Sequence, residues 1–344
     1  DLLELAQSRG GDQVAVKVYG GDVKYYGGNS EAQEKRSRVR VRVMAQAIKE
    51  AILDVKRVFI VGHKNMDFDC MGSCLCMCRI CAANAKEVYI VSESGGIEPQ
   101  LDNAMHVYAP VLNDRHHFIT EEEAMNIASK DDLVIAVDFH NPNHCNAPQI
   151  LNFVDKVIVI DHHRRSEAFI DNPLLVYVET SASSVSELVT EFIPYSSSRL
   201  DLSEAEATIM YLGILIDTNR FKQRTGSRTF EAAAALRKMG VDPIEAENLL
   251  KEDFIDFEAK TNIMKYGKLV FGNMIVAAVD NNEIISRTMM SQVADYLLNI
   301  KGIEASFVIA KTAENVVAVS ARSRGVVNVQ LIMEAMHGGG HFTA

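Results

Sequence analysis

The sequence lacks an excess of basic residues, and this shortage argues against one broad class of function. It contains 35 lysines and arginines against 46 aspartates and glutamates, for a formal net charge of -11. Proteins that bind long nucleic acids usually present a basic face, so we expect no long DNA or RNA as a partner. A small anionic substrate stays open, because bound metal ions can supply positive charge locally.

Long apolar runs are also missing. No uninterrupted stretch reaches the roughly 18 residues that are needed to span a bilayer, and no signal peptide opens the chain. The chain begins at Asp1 and stops at Ala344, just after a glycine cluster. We therefore expect it to be a piece of a longer protein, with no membrane segment in this piece.

Cysteines are few and unevenly placed. Five of the six lie between Cys70 and Cys81, and Cys145 stands apart. This spacing is not typical of a secreted disulfide framework, and it favours a reducing, cytoplasmic setting. Apolar residues alternate with the five cysteines after a helix-start pattern. Buried thiols that pack a helix are therefore favoured over a zinc site, since one helix cannot surround a tetrahedral ion.

The chain has 344 residues, about twice the length of a typical domain. Short apolar runs without alternation indicate strands of a parallel sheet that is covered on both faces. They lie at residues 58–61, 88–91, 133–137 and 157–160. Further helices are predicted at residues 120–129, 203–216 and 228–239. We predict an α/β fold with a doubly wound, mainly parallel sheet, whose ligands gather at the carboxyl ends of the strands.

Three boundaries divide the chain. Residues 1–54 form an N-terminal segment with a predicted hairpin around Gly20-Gly21-Asp22 and a helix from Ser30 to about Leu53. The sheet domain takes residues 55–240, and a charged connecting helix takes residues 241–264. The strand and helix pattern then restarts, which predicts a second, smaller α/β domain over residues 265–344.

Polar clusters follow four of the predicted elements. They are His63, Asp67 and Asp69 after the first strand, Asp138 after the third, Asp161-His162-His163 after the fourth, and Asp217 after the helix at 203–216. For any one cluster alone, a helix cap or a satisfied loop group is the better explanation. Because the carboxyl ends of parallel strands meet at one edge, four such clusters favour a single shared site.

Carboxylates gathered this closely would repel one another unless a cation neutralised them. Mixed imidazole and carboxylate ligands suit Mn²⁺, with Fe²⁺, Co²⁺ and Zn²⁺ as alternatives. Two ions about 4 Å apart that share one carboxylate can generate a bridging hydroxide and stabilise an in-line attack on phosphorus. The clusters therefore predict two divalent metal ions and chemistry at a phosphate.

The second domain carries a different pair of motifs. Ser320-Ala321-Arg322-Ser323 follows an apolar strand, and Gly338-Gly339-Gly340-His341 follows a helix. Glycines let backbone N–H groups approach a phosphate, and an arginine can bind one through two hydrogen bonds. One glycine would be enough for a helix C-cap. Three glycines before a histidine favour a phosphate-binding loop.

Together these motifs resemble the DHH-DHHA1 phosphoesterase family over residues 57–344. The resemblance implies one ion held by His63, Asp67 and Asp138, and a second held by Asp69, Asp138, His162 and Asp217. It implies that His163 contacts the scissile phosphate or helps to protonate the leaving oxygen, and that Asp161 orients His162. It also implies that the second domain holds the nucleotide at a cleft between the domains, through Ser320, Arg322, Ser323, Gly338, Gly339, Gly340 and His341.

The first 50 residues are similar to the end of a degenerate GGDEF domain, with Gly10-Gly11-Asp12 as its marker. That domain precedes DHH-DHHA1 in membrane-anchored bacterial cyclic-di-AMP phosphodiesterases. The resemblance implies hydrolysis of cyclic-di-AMP to 5′-pApA at the cytoplasmic side of the bacterial cell membrane. It implies a membrane-anchored full-length protein and leaves a homodimer open.

Two other functions remain as alternatives. A relative in the same family that degrades short oligoribonucleotides or removes a nucleotide 3′-phosphate would use the same catalytic residues. A non-catalytic nucleotide sensor is the other, and the complete ligand set counts against it.

One departure from the family is Cys70-Met71-Gly72-Ser73-Cys74, where small alanine and glycine residues are common. It changes the packing beside the metals and removes no ligand.

Overall fold

The computed structural model of the chain describes residues 14–17, 23–26, 37–166, 168–251, 254–280 and 283–336. The chain divides into two units, Asp1–Leu250 and Lys251–Ala344. No helix in the described ranges is long and apolar enough to cross a membrane.

A six-stranded parallel sheet forms the centre of the first unit. Its strands are β3 (Arg57–Val61), β4 (Glu87–Val91), β5 (Phe118–Ile119), β6 (Leu133–Val137), β7 (Lys156–Asp161) and β8 (Leu175–Val178). They lie side by side in the order β5-β4-β3-β6-β7-β8. The four strands predicted from apolar runs are confirmed. The short edge strands β5 and β8 were not predicted.

Before this sheet, β1 (Val14–Lys17) and β2 (Val23–Tyr26) pair as antiparallel strands, which confirms the hairpin. Its predicted turn at Gly20-Gly21-Asp22 lies outside the described residues, as do Ser30 and Gly10-Gly11-Asp12. Helix α1 (Arg38–Leu53) begins after Ser37, whose Oγ accepts the N–H of Arg40.

Most of the remaining helices of the first unit begin at a side-chain cap. Asp67, Thr120, Ser184 and Ser203 each accept a backbone N–H of the following first turn. The helices are α2 (Phe68–Ala82), α3 (Pro99–Arg115), α4 (Glu121–Ile127), α5 (Pro148–Phe153), α6 (Val185–Phe192), α7 (Glu204–Asp217), α8 (Ser227–Lys238) and α9 (Pro243–Leu249). The predicted helices near 120–129, 203–216 and 228–239 are confirmed as α4, α7 and α8.

Alternate residues along each strand enter different cores, which is why the apolar runs show no alternation. Ile60 and Ile135 pack with α2 and α7 in one cluster. Phe59 and Val134 pack on the opposite face with α4 and α5 in another. Helices therefore cover both faces of a parallel sheet, and the predicted doubly wound fold is confirmed.

The strand order reverses between β3 and β6. From β3 the chain builds outward through β4 to β5, and then returns to add β6, β7 and β8 on the other side. In open α/β sheets, ligands bind outside the carboxyl ends of the strands at such a switch point. His63 follows β3 and Asp138 follows β6, so two predicted ligands lie at this position.

Two glycines bring α2 and α7 into unusually close contact. A Cβ at Gly72 would lie 2.8 Å from the Cα of Met210, and one at Gly213 would lie 2.7 Å from the Cα of Asp69. Side chains larger than hydrogen are excluded at both positions because the neighbouring atoms are backbone. This close packing holds the end of α7, which carries Asp217, beside the start of α2.

The second unit contains a four-stranded mixed sheet in the order β12-β11-β10-β9, in which only β10 and β11 are parallel. Its strands are β9 (Gly267–Val270), β10 (Met274–Ala278), β11 (Ala305–Ala313) and β12 (Val316–Ser323). Its helices are α10 (Phe254–Met264), α11 (Arg287–Leu298) and α12 (Val329–Ala335). The smaller α/β unit is thus confirmed.

The connecting segment differs from its prediction. Instead of one helix over residues 241–264, it contains α9 and α10, with residues 252–253 outside the described ranges. The sequence has a second start signal here, since Asp242 caps α9 and Pro243 occupies its first position. Helix α9 ends at Leu249, before the charged segment that follows.

Candidate metal centre

His63 and Asp67 lie just beyond β3 and face each other. The Nδ1 of His63 lies 2.8 Å from the carbonyl oxygen of Lys64, so Nδ1–H donates there and Nε2 is left free. Asp67 caps α2 through Oδ1, which accepts the N–H of Cys70 at 2.9 Å. Its Oδ2 lies 3.6 Å from Nε2 of His63. Each residue therefore uses one atom for local structure and turns the other towards the site.

Asp69 is fixed by a helix that lies more than a hundred residues further along the chain. Its Oδ2 and Oδ1 accept the backbone N–H groups of Val185 and Ser186, each at 2.7 Å. These are the first two amides of α6, which have no partner within the helix. Each carboxylate oxygen keeps a lone pair, and Oδ2 lies 3.9 Å from Nε2 of His162.

Asp138 stands between the two histidines that the sequence nominated as ligands. Its Oδ2 lies 3.4 Å from Nε2 of His63, and its Oδ1 lies 3.6 Å from Nε2 of His162. The residue adopts φ +64°, a left-handed conformation that costs a non-glycine residue about 1 kcal/mol or more. Its N–H donates to the carbonyl of Ile160, which holds the turn against β7.

His162 and Asp217 complete this cluster. The Nε2 of His162 lies 3.4 Å from Oδ2 of Asp217, the last residue of α7. Burial, together with the charge of His163, lowers the pKa of His162 to about 4. Its ring is therefore neutral near pH 7, the form in which imidazole binds a metal.

Both carboxylate oxygens of Asp161 already accept hydrogen bonds from the protein. Its Oδ1 accepts the backbone N–H groups of His162 and His163 and the Nδ1–H of His163. Its Oδ2 accepts a short hydrogen bond from Nδ1 of His140, whose Nε2 accepts the N–H of Ser166. Although burial opposes its charge, the hydrogen bonds from His140 and His163 hold the pKa of Asp161 well below its usual range.

The geometry and the donor chemistry of the site fit divalent cations. The site contains two compact groups of donor atoms, and within each group all the atoms lie within 4.8 Å of one another. The first group is His63, Cys70 and Asp138. The second is Asp69, His162 and Asp217. Asp138 also joins His162 and His163 in a third group, so it touches both ends of the site. The Oδ1 of Asp138 is buried without a hydrogen-bond partner. A bound cation would satisfy that atom, since buried polar groups are rarely left unpaired.

Charge repulsion supports the same conclusion. Burial, and after it the neighbouring carboxylates, raise the pKa of Asp138 and of Asp217 well above the usual range. The same two causes raise the pKa of Asp69 to about 6. Three ionised carboxylates in one buried site require compensating positive charge. The residues present therefore suit one or two hard or borderline divalent ions.

The predicted nucleotide-binding residues of the second unit lie on β12. The Oγ of Ser320 lies 3.1 Å from the Oγ of Ser291, and Nε of Arg322 donates to Oδ1 of Asp295, so both reach α11. Ser323 is buried, and its Oγ accepts the N–H of Gly325. Gly338, Gly339, Gly340 and His341 lie outside the described residues. The nucleotide-binding role of these residues and the cleft between the domains stay predictions.

Three residues near the site had no predicted role. His140 holds Asp161 in place, and its signal was its position two residues after Asp138. Cys70 contributes a donor atom beside His63. Arg224 lies in a loop with several left-handed residues after α7. Its positive charge is a minor influence that favours the neutral ring of His162 and the ionised carboxylate of Asp217. No spacing rule marks this arginine in the sequence.

Sequence profiles match both units of the chain. The DHH family, N-terminal domain, matches residues 57–214, and the DHHA1 domain matches residues 271–344. The chain belongs to the DHH family. Both predicted domains of the family are therefore present, in the predicted order.

Known relatives agree with this membership. The chain is 42% identical over 343 residues to the cyclic-di-AMP phosphodiesterase GdpP of Bacillus subtilis, covering 99% of this chain and 52% of that protein. It is 39% identical over 341 residues to the cyclic-di-AMP phosphodiesterase PdeA of Listeria monocytogenes, with the same coverage. The chain thus spans about half the length of both relatives.

A solved structure supports the fold. The structure of an exopolyphosphatase-related protein from Bacteroides fragilis matches with a TM-score of 0.72 at 18% identity. The match covers 88% of this chain and 89% of that one. At this identity the likeness extends to the fold alone.

Proposed function

We propose that the chain is a phosphodiesterase that hydrolyses cyclic-di-AMP to 5′-pApA with two divalent metal ions, of which Mn²⁺ is our choice. One observation carries this proposal. Relatives named for this activity are 39% to 42% identical over nearly the whole chain, and the chain keeps all the predicted ligands, gathered at one edge of its sheet. The sequence identity to these relatives suggests the substrate. The set of predicted metal ligands explains how the chain could catalyse hydrolysis.

His63, Asp67 and Asp138 would hold one ion, and Asp69, Asp138, His162 and Asp217 would hold the other. When bound, the two ions supply positive charge that offsets the carboxylates, stabilises charge on the phosphate and activates water. The protein fixes the donors through contacts that do not involve an ion. The lysine carbonyl at position 64 turns the ring of His63, and the first two amides of α6 hold Asp69.

His163 is the group that we assign to the scissile phosphate. Its Nδ1–H is engaged by Asp161, and its side chain is 53% exposed, so Nε2 faces outward. From that position, Nε2–H of the protonated ring can donate to a phosphate oxygen or pass a proton to the leaving 3′-oxygen. Although burial disfavours the charged ring, Asp161 raises the pKa of His163 above its usual value, which favours that protonated form.

Nucleotide binding would be shared with the second unit. We assign the nucleotide contacts there to Ser320, Arg322, Ser323, Gly338, Gly339, Gly340 and His341. Arg322 would exchange its bond to Asp295 for a bidentate bond to phosphate, which an arginine forms well. In the first unit, Arg224 adds positive charge beside Asp217 and suits the second phosphate of a cyclic dinucleotide.

The cellular setting is a separate proposal, which rests on the resemblance of the first 50 residues to the end of a degenerate GGDEF domain. We infer that the chain is the cytoplasmic catalytic region of a membrane-anchored protein and that it works at the cytoplasmic side of the bacterial membrane. A homodimer stays a prediction.

A side-by-side turnover experiment tests the proposal. The chain, loaded with Mn²⁺, would be given cyclic-di-AMP, linear pApA and a short oligoribonucleotide at equal concentrations, and products would be separated by chromatography. We expect cyclic-di-AMP to have the highest kcat/KM and pApA to accumulate. A marked preference for pApA or RNA would instead support the oligoribonuclease alternative. Binding of cyclic-di-AMP with no turnover under any divalent ion would support the sensor.

A further inference from the structure

Cys70 is the one cysteine of the α2 cluster that reaches the metal centre. It lies in the first turn of α2, directly after the capping residue Asp67, Phe68 and Asp69. Its Sγ belongs to a compact donor group with His63 and Asp138, all within 4.8 Å. The other four cysteines of α2 are buried in the helix-packed core. In the described residues, none of those four joins a group of metal donors.

The neighbouring backbone is shaped around this thiol. A Cβ on Gly62 would lie 2.3 Å from Sγ of Cys70, so the absence of a side chain at residue 62 makes room for the sulfur. Cys70 is fully buried, and its Sγ lies 3.9 Å from the carbonyl oxygen of Val137, at the end of β6. The thiol is therefore held between β3 and β6, where the strand order reverses.

A second observation concerns Asp138, which belongs to the same donor group as Cys70 and His63. Asp138 is 3% exposed, and its Oδ1, which lies 3.6 Å from Nε2 of His162, is buried with no hydrogen-bond partner. Its Oδ2 lies 3.4 Å from Nε2 of His63, whose Nδ1 is already engaged by Lys64. An imidazole nitrogen, a carboxylate oxygen and a sulfur thus converge with free lone pairs. All three donor atoms lie within 4.8 Å of one another, so a single ion could bind them together.

We propose that Cys70 is a metal ligand, and that it gives the His63 end of the site a preference for thiophilic divalent ions such as Zn²⁺, Co²⁺ and Cd²⁺. This proposal rests on the proposed two-ion site, adds a ligand to it, and restricts the choice of Mn²⁺ to the ion at the His162 end. Oxygen and nitrogen donors alone suit Mn²⁺, whereas a thiolate selects softer ions. On coordination the Cys70 thiol gives its proton to solvent and its sulfur lone pair to the ion, with no change of oxidation state. The His162 end has no sulfur donor in its group and keeps its preference for harder ions.

Cobalt binding provides a test that does not depend on catalysis. The metal-free 344-residue chain would be titrated with Co²⁺ alone while its near-ultraviolet absorption is recorded. We expect a thiolate-to-cobalt charge-transfer band in the wild type, the loss of that band in Cys70→Ser, and its retention in Cys74→Ser. Cys74 is the matched control because it is equally buried one helical turn further along α2. A wild type that binds Co²⁺ without the band, or a band that survives Cys70→Ser, overturns the proposal.

Affinities for a soft and a hard ion give a second readout. By calorimetry, we expect Cys70→Ser to weaken Cd²⁺ binding by about tenfold or more, the scale seen when a metal's surroundings are altered. Mn²⁺ binding should change much less. Equal weakening of both ions overturns the preference for soft ions. If the variant does not fold, cadmium NMR of the wild-type chain reports directly whether sulfur is bound.

These outcomes are separable from the proposed function. If neither Mn²⁺ nor Co²⁺ binds the wild type, the two-ion site itself is wrong, and the assignment of Cys70 falls with it. If ions bind and cyclic-di-AMP is hydrolysed without a sulfur signal, only the role of Cys70 is wrong. A sulfur signal without hydrolysis supports the ligand and contradicts the enzyme.

Discussion

The Nδ1 of His163 lies 2.8 Å from Oδ1 of Asp161, and this contact decides which ring nitrogen of His163 faces outward. Because Nδ1–H donates its hydrogen bond to the carboxylate, Nε2 is the ring nitrogen available to a substrate. The second oxygen of Asp161 is bound by His140. The expected role of Asp161 was to orient His162. In the structure it instead holds the ring of His163 and only the backbone N–H of His162.

We expect Asp161→Asn to lower kcat by about 10- to 100-fold, the usual scale for a residue that supports a metal site. An amide nitrogen at the position of Oδ2 would place its N–H groups against the Nδ1–H of His140. The proton of His140 cannot shift from Nδ1 to Nε2, because Nε2 already accepts the N–H of Ser166. Mn²⁺ affinity should change little, since Asp161 belongs to none of the groups of metal donors found in the described residues. The measurement is kcat together with Mn²⁺ binding.

The control for this variant is Asp132→Asn. Asp132 is also buried and also accepts a backbone N–H, from Ser129, but it lies at the opposite end of β6. Its substitution should cost stability and leave kcat unchanged. Equal kcat in Asp161→Asn and the wild type would contradict the role given to Asp161.

Removing a ligand of the second ion should abolish turnover. In Asp217→Asn and in His162→Ala, we expect loss of Mn²⁺-dependent hydrolysis and binding of one ion in place of two, with an unchanged circular dichroism spectrum. The stoichiometry can be counted by calorimetry or by elemental analysis. His106→Ala is the control, because His106 lies on α3 with a side chain that is 77% exposed. Full activity in either ligand variant would rule out the two-metal assignment.

The sequence was enough to predict which elements carry the candidate metal ligands. Apolar runs such as 133–137 can be recognised alone, and the carboxyl ends of parallel strands must meet at one edge. His63, Asp138 and His162 therefore converge as predicted, within 3.4–3.6 Å of their nearest partners. Local pattern and one topological rule were sufficient for this part of the site.

The contacts that orient the ligands were not predictable in the same way. Asp69 binds the amides of Val185 and Ser186, which are 116 and 117 residues away, and no periodicity links such distant positions. The pairing of His140 with Asp161 likewise depends on where β6 and β7 end relative to each other. These contacts are set by tertiary packing, which a pattern of apolar residues constrains only in outline.

Close packing at Gly213 leads to a prediction about metal affinity. A Cβ there would lie 2.7 Å from the Cα and 3.0 Å from the N of Asp69. Backbone atoms cannot turn aside, so Gly213→Ala should push α7 from α2 and separate Asp217 from Asp69. We expect a loss of about 1–3 kcal/mol in the free energy of unfolding, as for other overpacked cores, together with weaker Mn²⁺ binding.

Gly72→Ala separates these two effects. Gly72 lies in the same contact between α2 and α7, about one turn after Asp69. A Cβ added there would meet the backbone of Met210. It should cost similar stability and weaken Mn²⁺ binding less than Gly213→Ala does. Urea unfolding and calorimetry measure the two quantities. Equal Mn²⁺ affinity in Gly213→Ala and the wild type would show that this contact does not position Asp217.

The contacts of Glu206 lead to a prediction of how folding stability depends on pH, and this prediction does not involve the metal centre. Its buried carboxylate accepts hydrogen bonds from Nε2 of His116 at 2.7 Å, Nε of Arg115 at 2.9 Å and the N–H of Ser203 at 2.5 Å. Although burial alone would raise it, these hydrogen bonds lower the pKa of Glu206 to about 2 from a reference of 4.5. Because the folded value is the lower one, the ionised carboxylate stabilises the fold fully above pH 4.5. This contribution is lost as the pH falls towards 2.

Comparison with Glu206→Gln removes the contribution of the titrating groups that do not contact residue 206, since these are unchanged between the two chains. Wild type should be the more stable chain at about pH 6, because the variant leaves Arg115 and His116 without their charged partner. Between about pH 6 and about pH 3, the wild type should lose about 2 kcal/mol of that advantage, from the separation of the two pKa values. Urea unfolding of both chains at the two pH values measures the difference. An advantage that stays constant, or grows as the solution is acidified, would mean that Glu206 is not ionised in the folded protein.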